Sequence, residues 1–181
     1  MKTKLHSIIN TIFVIVLLAS FAVVVTAQDA EATPNVESTP DVTELQAQVD
    51  EYTQTIEANP DDAEAYFNRG VVYYQQERYE QAIADFDKAI ELEPNYAEAY
   101  YNRGWVYLLQ NDFQHGIDDE TSAIELGSVQ AYLLRGTAYV IAKKYQAGLD
   151  DFAKYKEITG EPIPDSFTEY QYYAKSAIWG K

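Results

Sequence analysis

The sequence predicts an all-α protein built from stacked pairs of helices, and three observations carry that expectation. The stretch Ala63 to Tyr96, AEAYFNRGVVYYQQERYEQAIADFDKAIELEPNY, is 34 residues long and is followed by a near copy of itself. A fixed period of this length marks a helix–turn–helix array. Within it Gly70 and Ala89 are small enough for two helices to approach closely, and Tyr66, Tyr73 and Phe86 supply the bulk between them. Pro94 cannot continue a helix and ends the second one.

The chain has 181 residues and is 47% hydrophobic, enough for one packed domain with extensions. It has no cysteine, which excludes disulfides, thiolate nucleophiles and Cys-based zinc sites. The net charge of −16 repels nucleic acid and anionic lipid and favours a neutral or basic partner.

Taken in order, residues 1–27 read as a signal peptide. Lys2 and Lys4 precede a nearly unbroken apolar run, Ile12 to Val25, and Val25-Thr26-Ala27 places small residues where a signal peptidase reads. Export with cleavage after Ala27 is expected, to a secreted, periplasmic or cell-surface location. The alternative is an uncleaved N-terminal membrane anchor, since Ile8 to Val25 just reaches the length of about 18 residues needed to span. A lipid-anchored lipoprotein is excluded, because its acceptor cysteine is missing. Residues 28–41, acidic and Pro/Thr-containing, read as a flexible linker.

Residues 42–62 align with the second half of a repeat, Tyr52 taking the aromatic place and Pro60 the terminal proline. This half repeat is expected to cap the array. Repeat one covers 63–96, with Asp61 and Glu64 as a candidate capping box, and repeat two covers 97–128, introduced by Asn95 and Glu98 in the same spacing. Repeat two keeps Tyr100, Gly104 and Tyr107 and then departs: Gly116 replaces the alanine, Glu120 replaces the aromatic, and two residues including the proline are lost. An unpaired buried carboxylate is costly, so Glu120 is expected to reach water. Repeat three covers 129–162 and carries Tyr132, Gly136, Tyr139 and Phe152. Tyr155 stands where a small residue is expected, which would set its helix further out. Pro162 and Pro164 break the chain, and Asp165 is the expected N-cap of a last helix within 163–181. Its aromatics, Phe167, Tyr170, Tyr172, Tyr173 and Trp179, are expected to pack on repeat three.

Tyr66, Gly70, Tyr73, Ala82, Phe86, Ala89 and Pro94 fall where a tetratricopeptide repeat carries an aromatic, Gly, Tyr, Ala, an aromatic, Ala and Pro. The three repeats thus resemble that family. The resemblance implies a right-handed superhelix of antiparallel helix pairs whose first helices line a concave groove. The implied groove positions are Glu64, Phe67, Asn68, Val71, Tyr74 and Gln75 in repeat one. They are Glu98, Tyr101, Asn102, Trp105, Leu108 and Leu109 in repeat two, and Gln130, Leu133, Leu134, Thr137, Val140 and Ile141 in repeat three. Among them Phe67, Val71, Tyr74, Tyr101, Asn102, Trp105, Leu108 and Leu133 form the expected partner-binding groove, with Tyr101 and Trp105 partly open to solvent. Of the family's carboxylate clamp of Lys, Asn and Arg only Asn102 matches. Phe67, Val71, Gln130 and Leu134 hold the other clamp places, which makes a C-terminal carboxylate a poor ligand.

Three arginines, Arg69, Arg103 and Arg135, each precede a glycine and are each followed sixteen residues later by an aspartate: Asp85, Asp119 and Asp151. They read as structural ion pairs joining the two helices of a repeat. Catalytic signals are weak. His115 is the single histidine beyond the leader, and no catalytic triad, HExxH, phosphate-binding loop or EF-hand spacing is present. The consecutive Asp118, Asp119 and Glu120 point in different directions on a helix and read as a solvated acidic face rather than a metal site. The expected function is that of an exported protein-interaction module, neither an enzyme nor a cofactor protein. The alternative is a self-assembling structural repeat protein without a separate ligand.

Overall fold

The computed structural model describes residues 42–180, and the expected signal peptide and linker lie outside the described residues. Eight helices follow one another: α1 (Val42–Ala58), α2 (Ala63–Gln75), α3 (Tyr79–Leu92), α4 (Ala97–Leu109), α5 (Phe113–Glu125), α6 (Ala131–Ile141), α7 (Tyr145–Thr159) and α8 (Asp165–Trp179). Each packs on its successor, and α2/α3, α4/α5 and α6/α7 are the closest pairs. The fold is an all-α solenoid of helix pairs between two single helices.

Close approach within a pair requires glycine. A Cβ built at Gly70 would stand 2.8 Å from Phe86 Cε1, one at Gly104 2.8 Å from Glu120 Oε1, and one at Gly136 3.0 Å from Phe152 Cε1. The turn between the helices of a pair repeats as well. Glu77, Asn111 and Lys143 adopt left-handed φ values of 59°, 64° and 62°. The next residue's N–H then donates back to the carbonyl of Tyr73, Tyr107 or Tyr139 at 2.8–2.9 Å, closing the helix end as a Schellman turn does.

Helix starts differ from expectation. Asp62, not Asp61, caps α2, accepting from Ala65 N at 2.9 Å. A cap must directly precede the first helical residue to reach the amide three positions on, and Asp61 stands one place too early. Asn95 does not cap α4, whose cap position is Tyr96 with no side-chain bond. Pro164 holds the cap position of α8, which makes Asp165 its first helical residue. Asp112 caps α5 through His115 N.

The core lies in the interfaces between successive helices. Leu45 and Val49 of α1 cluster with Val72 of α2, flanked by Tyr52 and Tyr73. Ala82, Phe86 and Val106 tie α3 to α4 beneath Phe67, Val71 and Tyr74. Tyr155 is itself taken into the core. At the far end α8 packs on both α7 and α6, burying Phe167, Tyr170 and Ala174. Tyr172 (72% exposed) and Trp179 (63%) do not pack on repeat three as expected, whereas Tyr173, half in solvent, meets the ring of Tyr145 edge-on at 5.9 Å. A single helix meets its support with one stripe, and residues 167, 170 and 174 occupy it.

The three Arg–Asp pairs are bidentate. Arg69 donates through Nε and Nη2 to Asp85 at 2.8 Å each. The matching distances are 2.8 and 2.7 Å for Arg103 with Asp119, and 2.9 and 2.8 Å for Arg135 with Asp151. The remaining nitrogen, Nη1, reaches back to the helix before the pair. It meets Thr53 Oγ1 of α1 at 3.1 Å, Asp87 Oδ1 of α3 at 2.5 Å and Thr121 Oγ1 of α5 at 3.0 Å. Thr53 and Thr121 are themselves fixed, each donating at 2.7 Å to the carbonyl four residues earlier. Tyrosine rings complete the setting: Arg69 lies between Tyr66 and Tyr73, Arg135 between Tyr132 and Tyr139, and Arg103 over Tyr100, at 5.5–5.8 Å. Each arginine therefore joins three helices. Asp151→Ala, which leaves Arg135 without its carboxylate, is expected to cost about 3 kcal/mol in urea unfolding. The double replacement Arg135→Met with Asp151→Leu is expected to recover more than half of that loss.

Candidate functional site

The groove positions divide into an open part and a closed part. On α2 and the start of α4, Phe67, Asn68, Val71, Tyr74, Tyr101 and Asn102 are half-buried, and Glu64, Gln75 and Glu98 are exposed. Phe67 is the centre of an aromatic group, its ring 5.8 Å from Phe86 and 4.9 Å from Tyr96. Tyr74 lies 6.1 Å from Tyr79. The Asn102 amide donates to Glu98 O at 2.8 Å, so it is turned onto its own helix. Burial pushes the Tyr96 phenol up to about 12, assisted by the carboxylates of Glu64, Glu98, Glu93 and Asp62. This aromatic surface thus has an acidic margin.

Trp105, Leu108 and Leu133, expected to line the groove, belong to the core, and Trp105 is only 5% exposed. The indole of Trp105 lies beside Tyr74 of the preceding first helix, whose phenol burial raises and Trp105 lowers. Leu108 fills the space over Gly116, where an added Cβ would collide with its Cδ2. In repeat three Leu133, Leu134, Thr137 and Val140 are all buried, on the helix against which α8 also packs. Packing against neighbouring helices buries these positions, whereas Leu109 and Ile141 stay half-buried and Gln130 exposed; α2 and the first turns of α4 hold the aromatic part of the open surface.

Glu120 contradicts the expectation that it reaches water. It is 0% exposed, and neither carboxyl oxygen has a hydrogen-bond partner. It occupies the place that Phe86 and Phe152 take under the glycines of the other pairs. Burial raises its pKa well above the ordinary 4.5; Asp119 adds to the rise and Arg135 opposes it. Tyr101 of α4 faces it, its phenol raised chiefly by burial and further by Glu120. Burial without a hydrogen-bond partner therefore favours the neutral acid over the carboxylate. Burial also raises Asp119, with Arg103 holding against the shift.

The remaining ionisable groups make no reactive cluster. His115 is exposed, its Nδ1 2.7 Å from Asp112 Oδ2, and that hydrogen bond raises the imidazole and lowers the carboxylate. Of the consecutive acids only Asp118 faces solvent; Asp119 is in its ion pair and Glu120 is in the core, so the expected acidic face is one residue wide. Among the described residues no group of three or more His, Asp or Glu is placed to hold a metal ion. Reading the sequence missed Tyr96 as part of the aromatic group. It also missed Thr53, Asp87 and Thr121 as partners of the arginines, although these three recur at the 34-residue period.

Tetratricopeptide-repeat models match residues 63–96 and 86–115. The Arabidopsis OM64 tetratricopeptide domain superposes with a TM-score of 0.59 at 24% identity, over 64% of this chain and 95% of that one. YrrB, described as a tetratricopeptide protein with an unusual peptide-binding site, gives 0.62 at 25% identity, over 73% of this chain and 66% of its own. The first tetratricopeptide domain of Spaghetti (RPAP3), bound to the HSP90 peptide SRMEEVD, gives 0.61 at 22% identity, over 65% and 93%. No curated protein matches the sequence. The chain carries tetratricopeptide repeats within residues 63–115, in a fold shared with solved tetratricopeptide domains.

The buried acid generates a pH prediction. The folded pKa of Glu120 lies above its unfolded value, so the native state holds the proton longer. Its contribution to stability is complete below pH 4.5 and is lost as pH rises towards the folded pKa, at about 1.4 kcal/mol per pH unit. Glu120→Gln is expected to remove this component from the difference between acid and neutral melting curves. Glu120→Phe is expected to raise stability at neutral pH, since Phe86 and Phe152 already fill the equivalent places.

Proposed function

We propose that this protein is an exported interaction module that holds a peptide, or a segment of a partner domain, against the inner face of α2 and α4. The observation that carries the reading is the second apolar face of those helices. Phe67, Val71, Tyr74 and Tyr101 keep part of their surface in solvent while the opposite faces of the same helices are committed to packing. Aromatic side chains in a concave setting are the usual carriers of binding energy. The margin of Glu64, Glu93 and Glu98 favours a neutral or basic ligand. A similar fold bound to a peptide, and another described by its peptide-binding site, support the same use of the scaffold.

A phage-displayed random peptide library selected on the protein tests this. Selected peptides are expected to carry apolar residues and to lose at least about tenfold in affinity to Tyr101→Ala or Asn102→Ala. Gln146→Ala, on the outer side of α7, is expected to change nothing. Peptides indifferent to both inner-face substitutions would sink the reading.

Export rests on Lys2, Lys4, the apolar run and Val25-Thr26-Ala27. Intact-mass measurement of protein recovered outside the cell is expected to give a chain beginning at Gln28. A mass that retains residues 1–27 would make the protein membrane-anchored instead.

A further inference from the structure

One end of the aromatic surface carries a charge of its own. Phe67 and Tyr96 stand at the starts of α2 and α4, their ring centroids 4.9 Å apart. Four carboxylates act on the Tyr96 phenol: Asp62 and Glu64 at the start of α2, Glu93 just after α3, and Glu98 in the first turn of α4. Glu64, Glu93 and Glu98 are exposed, while Phe67 and Tyr96 are half-buried. None of the four carboxylates is in an ion pair among the described residues. The chain around this end, residues 57–68 and 89–102, contains no lysine or arginine. Lys88, just before the second stretch, is held by Glu91 at 2.9 Å.

The balance of charge is negative even after the backbone is counted. The N-termini of α2 and α4 each contribute roughly half a positive charge, against four carboxylates. A bare metal ion does not fit the arrangement, because among the described residues no three acidic groups are placed to hold one. A guanidinium does fit. It is planar and weakly hydrated, lies flat on aromatic rings, and has five donors to share among acceptors that are spread apart. Tyr74 follows Phe67 by seven residues on the same helix, about 10 Å along its axis. Charge is mixed there, with Arg78 between Glu77 and Glu80. An extended peptide rises about 3.3 Å per residue, so about three residues cover the distance.

We propose that the start of the groove takes an arginine side chain of the partner, its stem on Phe67 and its guanidinium against Tyr96 among Glu64, Glu93 and Glu98, with an apolar residue about three positions away on Tyr74. This rests on the reading that α2 and α4 hold a peptide, and it adds the residue recognised and the spacing to its apolar neighbour. The aromatic rings supply contact area, and the unpaired carboxylates select the cation.

The probes are two synthetic peptides. One is acetyl-Gly-Arg-Ala-Ala-Leu-Gly-amide, and the other carries citrulline, the neutral isostere, in place of arginine. Binding is followed through the ring NMR resonances of Phe67 and Tyr96. The arginine peptide is expected to move both rings, and the citrulline peptide to bind at least about tenfold more weakly. Glu64→Gln combined with Glu98→Gln is expected to weaken the arginine peptide at least about fivefold and to leave the citrulline peptide unchanged. Glu44→Gln, on α1, is expected to affect neither. Added salt is expected to narrow the gap between the two peptides, since exposed charges are screened. The three substituted residues are exposed, and unchanged circular dichroism would show that the variants fold.

Equal affinity for the two peptides overturns the proposal, and so does an arginine peptide that moves neither ring. Calcium chloride that moves the same rings at the same concentration also overturns it, by making this end a metal site. The groove reading fails differently. Peptides that lose affinity to Tyr101→Ala but ignore the arginine leave the groove standing and overturn the arginine site. An arginine peptide that depends on Glu64 and Glu98 but not on Tyr101 supports the arginine site and counts against the wider groove.

Discussion

The partly buried guanidinium is the constraint on which the solenoid depends. Each of Arg69, Arg103 and Arg135 gives its fork to the aspartate of its own pair and its last nitrogen to the helix before it. A group of this kind tolerates burial only when its donors are satisfied, and the planar fork leaves little latitude in where they point. The tyrosines above and below complete the enclosure. Three helices are thereby fixed relative to one another by one side chain, and the apolar interfaces around it need only fill space. The same arrangement shapes recognition. The first-helix arginines are committed internally, so the open face of α2 and α4 has no cation to offer an acidic peptide terminus.

Glu120 shows how far the repeat tolerates a break in its packing rule. Gly104 preserves the room that a ring would use, and a carboxyl group occupies it. In its neutral form the acid is a compact side chain that lacks hydrogen-bond partners, a smaller penalty than a buried anion. The neighbouring Arg103–Asp119 contact holds the pair together on the other face of the same helix turn.

Much of this was legible because the repeat prints its own alignment. Helix pairs, the glycine contacts and the sixteen-residue Arg–Asp interval all recur, and recurrence inside one chain is physical information. The fates of Trp105, Leu108 and Leu133 were not legible, because an inner-face position is open or closed according to the neighbouring repeat. Trp105 lies beside Tyr74, while α6, on which α8 also packs, buries Leu133, Leu134, Thr137 and Val140. Glu120 was misjudged for a related reason: the cost was reckoned for a charged carboxylate, whereas burial without a partner favours the protonated form. The outward aromatics of α8 were misplaced because a terminal helix has one support, and composition does not say which stripe will meet it.

The rearward bonds of the arginines also differ from joint to joint. At the joints between α1 and α2 and between α5 and α6 the acceptor is a threonine hydroxyl; between α3 and α4 it is Asp87. Two joints are therefore closed by a neutral acceptor and one by a second charge, half exposed to water. In a one-dimensional array whose cohesion is a sum of nearest-neighbour terms, the spacing of such terms sets where the spring is soft. Ionic strength acts on the middle joint far more than on the outer two. The joint between the first and second helix pairs is thus the one whose closing contact salt can screen.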